Sequence, residues 1–114
     1  MIERLSPPGV PVPRGPYSPA VKAGGFIFVS GQVPVDPATN QVMLGDVKHE
    51  TRIILNNIKR ILEGAGASLA QVVKCHVYLA NGSDFAAMNE CTRSFSGRTS
   101  RRGRRWRASL RCQI

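Results

Sequence analysis

No apolar stretch of this sequence is long enough to cross a bilayer. The longest, around Phe26 to Val29, falls far short of the ~20 residues a spanning helix needs. No secretory leader is expected either, because the visible N-terminal stretch is punctuated by Pro7, Pro8, Pro11, Pro13 and Pro16. The expectation is a cytoplasmic protein with no membrane partner. Cysteine is scarce: Cys75, Cys91 and Cys112 form no C-x-x-C, and their odd number supports neither a disulfide framework nor a zinc site. Cys75 is expected as a buried core thiol. His49 and His76 lack a partner at ligand spacing, so each reads as a helix-surface or strand histidine and no metal is expected. Acid is absent altogether from residues 91–114, which hold eight Arg and no Lys. Residues 1–90 hold eight basic and seven acidic residues, so the overall charge of +9 belongs to the tail and not to the body. The two composition regimes meet near Glu90, dividing the chain into a domain of residues 1–90 and an Arg-rich tail of residues 91–114.

With 114 residues, 42% of them hydrophobic, there is material for one modest core and no second domain. The Pro-rich opening leaves room for a short strand at Ile2 to Leu5. Phe26, Ile27, Phe28 and Val29 then read as a buried strand ending in a turn or bulge at Ser30-Gly31-Gln32. Asp36-Pro37-Ala38-Thr39-Asn40 reads as a hairpin-type turn. Val47, Thr51, Ile54, Leu55, Ile58 and Leu62 recur at helical spacing, with Asp46 placed to cap the N-terminus and Gly64 or Gly66 to close the C-terminus. Between Gln71 and Leu79, Val73, Cys75, Val77 and Leu79 alternate with Val72, Lys74, His76 and Tyr78, a strand with one face in the core. Asn81-Gly82-Ser83-Asp84 offers a turn and cap for a second helix from Phe85. The order is β-β-(β)-α-β-α, an α+β protein with helices on one face of a sheet.

Several segments together resemble the RidA/YjgF family. They are Gly15-Pro16-Tyr17-Ser18-Pro19-Ala20, Phe28-Val29-Ser30-Gly31-Gln32-Val33-Pro34-Val35-Asp36-Pro37, the Asn56-Asn57 helix ending Leu62-Glu63-Gly64-Ala65-Gly66, Val73 to Leu79, and Asp84-Phe85-Ala86-Ala87-Met88-Asn89-Glu90. Any one is weak, but five in order at the right spacing are specific. The resemblance implies a chorismate-mutase-like mixed sheet with two helices on one face, a homotrimer with clefts between subunits, and a cofactor-free hydrolysis of 2-imino acids, such as 2-iminobutanoate or 2-iminopropanoate, to 2-keto acids and ammonia. Carried over residue by residue, Tyr17 lines the cleft and offers its phenol. Ser30 and Gly31 present a hydroxyl and an approachable backbone at a strand end, and Asn89 stands on a helix near the site. For each a plainer reading exists: an aromatic anchoring a Pro-rich loop, a bulge, a solvated helix asparagine. Gln32 reads as structural.

The likeness breaks at Cys91. The family places its carboxylate-clamping Arg in a Pro-Ala-Arg segment after the second helix and an acidic residue on the last strand, and neither is present here. If one nucleotide is missing after the codon for Glu90, the genetic code permits Val-Tyr-Ala-Glu-Phe-Phe-Gly at 91–97 and Pro-Ala-Arg at 101–103. The clamp position is then occupied by Gly103. Out-of-frame reading of GC-rich DNA also accounts for a tail rich in Arg, Gly and Ser without Lys or acid. On this reading the second helix extends a turn or two past Glu90, strand-forming alternation is absent from Arg98 to Arg107, the C-terminal strands are missing or replaced, and imine hydrolysis is impaired. Two alternatives stand beside it. The eight Arg with Trp106 fit salt-dependent RNA binding, and the fold without its clamp fits a non-catalytic oligomeric binding module.

Overall fold

The second and third strands of the chain are joined by the tightest connection a hairpin allows. In the computed structural model, which describes residues 1–95 and the backbone of Arg107–Leu110, Ala20–Ala23 (β2) turns through Gly24 and Gly25 into Phe26–Val29 (β3). Both glycines have positive φ, 57° and 79°, the conformation a two-residue turn between right-twisted strands requires. Glu3–Leu5 (β1) pairs antiparallel with the other edge of β2, giving the order β1-β2-β3. The opening strand is where the sequence places it, whereas β2 is an addition: its four residues carry no long apolar run, and pairing on both sides defines it.

Directly paired residues share a face, so Ala20, Val29 and Leu5 lie on one side of this sheet and Phe28 and Val21 on the other. Ala20 is buried, while Phe26 and Phe28 are 60% and 61% exposed, their ring centroids 6.4 Å apart. The expectation of a fully buried strand at Phe26 to Val29 is thereby corrected. A sheet covered on one side only can bury alternate residues, and here Ile27 and Val29 take the partly covered positions.

After β3 the chain forms the expected hairpin-type turn. Asp36 Oδ1 accepts from Ala38 N at 2.8 Å, Asn40 N donates to Asp36 O at 2.7 Å, and Val35 bridges Val42. Val47–Gly64 (α1) follows, with Asp46 as its N-cap accepting from His49 N at 2.8 Å. Its C-terminus is closed at Gly66, whose φ is 82°, with Gly66 N donating to Glu63 O and Ala67 N to Leu62 O at 3.1 and 2.8 Å. That is the paired-bond stop that a left-handed glycine permits. Gly64 has another reason to lack a side chain: a Cβ there would lie 2.3 Å from Pro7 Cβ. The helix end and the Pro-rich opening therefore pack in direct contact.

The buried stripe of α1 comprises Leu55, Asn57, Ile61 and Leu62. Asn57 is the surprise, since it is 0% exposed. Its Nδ2 donates to Val35 O at 2.7 Å and its Oδ1 accepts from Arg60 at 3.0 Å, so the burial leaves its amide satisfied and pins the 35–42 hairpin to the helix.

Lys74–Val77 (β4) realises the predicted strand in shortened form. Cys75, Val77 and Leu79 face inward as expected, whereas Val73 is exposed because the regular strand begins only at Lys74. Cys75 is half-buried, a correction to its place as a core thiol, and among the described residues the buried thiol is Cys91. His49 on α1 and His76 on β4 stand on exposed positions.

A short 3-10 turn at Gly82–Asp84 leads into Phe85–Phe95 (α2), which packs against α1 through Met88 and Cys91. The expected turn is there, but Asn81 makes no side-chain cap bond to that turn. The composition change at Glu90 falls inside α2, and the helix continues to Phe95 as anticipated. Arg107–Leu110 (β5) then pairs parallel with β4, completing a βαβ unit. One closing strand is thus present, so the expected loss of the closing strands is corrected for this one. Backbone pairing with the edge of β4 asks for no side-chain alternation, which is why the pattern did not announce it. The architecture is α+β with two helices, its strands grouped as β1-β2-β3 and β4-β5. Gly103 and Trp106, and with them the clamp position and the stacking aromatic, lie outside the described residues.

Candidate functional site

The segment Pro13-Arg14-Gly15-Pro16-Tyr17 folds back on itself. Tyr17 N donates to Gly15 O at 2.8 Å, and Arg14 N donates to the Tyr17 hydroxyl at 3.3 Å. The ring lies over Gly15, where a Cβ would stand only 3.2 Å from Cε1 of Tyr17. Glycine at that position therefore lets the aromatic ring settle against the backbone. Tyr17 remains 49% exposed, with its hydroxyl oxygen already accepting one bond and its proton free to donate.

Ser30 sits just past the end of β3. Its Oγ donates to Ser18 O at 2.5 Å and its N donates to Pro19 O at 3.0 Å, tying the strand end to the Tyr17 segment. With that proton committed, the hydroxyl oxygen keeps its lone pairs as acceptors. Gly31 is exposed, and a Cβ there would meet nothing within 4 Å, so its backbone is open to approach. Gln32 donates to Ser30 O at 3.2 Å, in keeping with its structural reading, and it also lines the site.

Tyr17 and Gly31 line one recess of about 30 Å³, together with Arg14, Gln32 and Val12. The enclosed part has room for a water molecule or two, and anything larger must lie across its mouth. Ser30 adjoins it through Gly31. Asn89 does not: it is half-buried on α2 and is not part of that lining. A second opening of about 550 Å³ lies between α1 and the end of α2, lined by Arg52, Lys59, Glu63 and Ser94 among others, and holds none of the residues singled out in the sequence. Arg14 is the residue that sequence reasoning passed over. Its signal was available, as the one cation in the Pro-rich segment beside Gly15-Pro16-Tyr17.

An exposed phenol, an open backbone and a guanidinium meet at one small recess, with the acceptor hydroxyl of Ser30 adjoining it. No group of His, Cys, Asp and Glu among the described residues could hold a metal ion. No helix among them is long and apolar enough to cross a membrane.

This is the fold of a RidA-type protein. The family model described as Endoribonuclease L-PSP matches residues 9–109, and the chain belongs to that family, the RidA/YjgF family. The match runs past Glu90. A RutC family protein of Pyrococcus horikoshii is 50% identical over 97 residues, covering 85% of this chain and 77% of that protein. A 2-iminobutanoate/2-iminopropanoate deaminase of Dermatophagoides farinae is 35% identical over 91 residues, 80% of this chain and 71% of its own length. Among solved structures, E. coli TdcF with bound serine superposes with a TM-score of 0.83 at 28% identity, covering 98% of this chain and 87% of that one.

Proposed function

We propose that this protein is an enamine/imine deaminase that hydrolyses small 2-imino acids, such as 2-iminobutanoate or 2-iminopropanoate, to 2-keto acids and ammonia. The observation that carries the reading is the meeting of Tyr17 and Gly31 at one recess beside Ser30. The name of the mite relative gives the substrate class, and the serine in TdcF is a small amino acid of similar size.

Hydrolysis needs a water at the imine carbon and a proton for the departing nitrogen. Water adds to C2 to give a carbinolamine, whose collapse breaks the C–N bond and releases ammonia and the 2-keto acid. In this reading the lone pairs of Ser30 accept a hydrogen bond from that water. The Tyr17 proton, for which no acceptor is found among the described residues, is donated as the nitrogen leaves. Gly31 lets the substrate approach the backbone, and Asn89 joins from a neighbouring surface if the site is completed between copies. In this reading no cofactor takes part, the working form is a homotrimer, and the protein acts in the cytoplasm. The bare Phe26 and Phe28 face supports an assembly, because apolar rings side by side in water favour being covered.

Turnover is expected to be low. Gly103 occupies the position at which the resemblance puts the clamp Arg, and we attribute residues 91–114 to a frame change after Glu90. Reading the coding DNA from the Met88 codon onward tests this, since one inserted base must restore Pro-Ala-Arg and an acidic strand. The activity is tested by following 2-keto acid release from an imine generated in situ by an amino acid oxidase. Acceleration over the uncatalysed rate, lost in Tyr17→Phe, is the expected result; no acceleration at any protein concentration removes the deaminase reading.

A further inference from the structure

We propose that Arg14 receives the substrate carboxylate in this protein. The inference rests on the imine-deaminase reading for the identity of the ligand, and on the recess itself for its geometry.

A 2-imino acid carries one permanent negative charge, and a site that orients it needs a cation within reach of the reacting carbon. Among the described residues, Arg14 is the only cationic one lining the recess that Tyr17 and Gly31 share. The larger opening does hold Arg52 and Lys59, but it also holds Glu63, whose carboxylate opposes an anion, and it lacks both Tyr17 and Gly31.

Arg14 is held in place at two points. Its backbone N donates to the Tyr17 hydroxyl at 3.3 Å, and Nη2 of its guanidinium donates to Asn40 O. Asn40 is itself fixed: its φ is 56°, and its Oδ1 accepts from Val12 N at 3.1 Å. The side chain therefore spans from the Pro-rich segment to the 36–40 turn. A guanidinium has five N–H donors, and one is engaged here. Among the described residues no carboxylate pairs with it. A pre-anchored fork with unused donors is the geometry that takes a carboxylate through two parallel hydrogen bonds. Arg14 and Tyr17 line the same recess, so a carboxylate taken up by the guanidinium holds a small ligand at the mouth that the phenol also lines.

The plainer role for Arg14 is a strap that holds residues 12–14 to the hairpin, and the two roles separate in experiment. Binding of 2-oxobutanoate, the keto-acid product, is followed by NMR titration for the wild type, Arg14→Gln and Arg14→Lys, alongside thermal unfolding and imine turnover. The expected result is wild-type binding that weakens roughly 10- to 100-fold in Arg14→Gln, with Arg14→Lys in between, because the charge survives but the fork does not. Affinity in Arg14→Gln within twofold of wild type overturns the proposal, whether or not the unfolding midpoint falls. A wild type that does not bind 2-oxobutanoate overturns it also. If Arg14→Gln does not fold, Arg14→Lys decides: unchanged affinity there removes the fork. Turnover by the wild type with no dependence on Arg14 leaves the deaminase reading standing and this inference not. Arg14-dependent binding without turnover does the reverse.

Discussion

The helix pair and the three-stranded sheet treat apolar surface in opposite ways. On α1 and α2, Leu55, Ile61, Leu62, Met88 and Cys91 are buried, and an ion pair of Lys48 with Glu90 at 3.0 Å spans the exposed rim. On the sheet, Ala20 is covered while Phe26 and Phe28 on the other face lie open. The buried residues of the helices form the core together with Ala20, Val35, Leu69 and Leu79 from the strands and connections. A sheet has two faces, and a chain of this length supplies helices for one. The difference gathers the buried apolar surface on the covered side and leaves the outer sheet face, with Phe26 and Phe28, exposed.

Replacing Ile61 with Ala is the strongest test of that contrast, with an expected loss of about 2–5 kcal/mol in urea unfolding from lost burial and a residual cavity. Phe28→Ala should cost under about 1 kcal/mol if its face stays bare. A larger, concentration-dependent cost, with a lower mass in sedimentation, would show that further copies cover it. Asn57→Ala comes next, at about 1–3 kcal/mol, because it strips Val35 O of its buried partner and frees the hairpin from α1. The hydrogen exchange of residues 35–42 should rise with it. Gly66→Ala should cost about 1 kcal/mol, since its φ of 82° is a conformation that a Cβ disfavours.

A smaller effect concerns pH. Burial pushes the Cys75 thiol above its ordinary value near 9.0. The unfolded chain thus loses this proton first as pH rises, so stability is full below that ordinary value and declines as pH rises toward the raised one. Cys75→Ala should flatten that part of the stability curve, and an unchanged alkaline slope would show that the thiol is not responsible. Lys48→Ala should do least, about 0.5 kcal/mol or below, since both partners are exposed and salt-screened. A cost well above 1 kcal/mol would mean that the rim, and not the apolar seam, holds the helices together.

Local chemistry made much of this legible in advance. Asp46 at the start of α1, the left-handed glycine at its end, the Asp36 to Asn40 turn and the inward set Cys75, Val77 and Leu79 all follow from interactions within a few residues. The site was legible only in part. Tyr17, Ser30 and Gly31 were marked by the Gly-Pro-Tyr and Ser-Gly-Gln segments, and the folded chain brings the first and last of them to one recess. Arg14 was passed over because its importance depends on Asn40, 26 residues away, and on a recess that no spacing rule describes. Asn89 carries no such tie among the described residues of a single copy.

What the sequence by itself determined is the order of elements apart from β2 and β5, most of the caps and turns that bound them, the charge asymmetry about Glu90 and the family. Those depend on propensity, spacing and motif, which act over short stretches of chain. Only the tertiary structure decided that Phe26 and Phe28 face outward, that Asn57 is buried, that β5 pairs with β4 and that Arg14 stands beside Tyr17. Each of these is a choice between faces or partners distant in the chain, settled by which surfaces pack together once the elements exist.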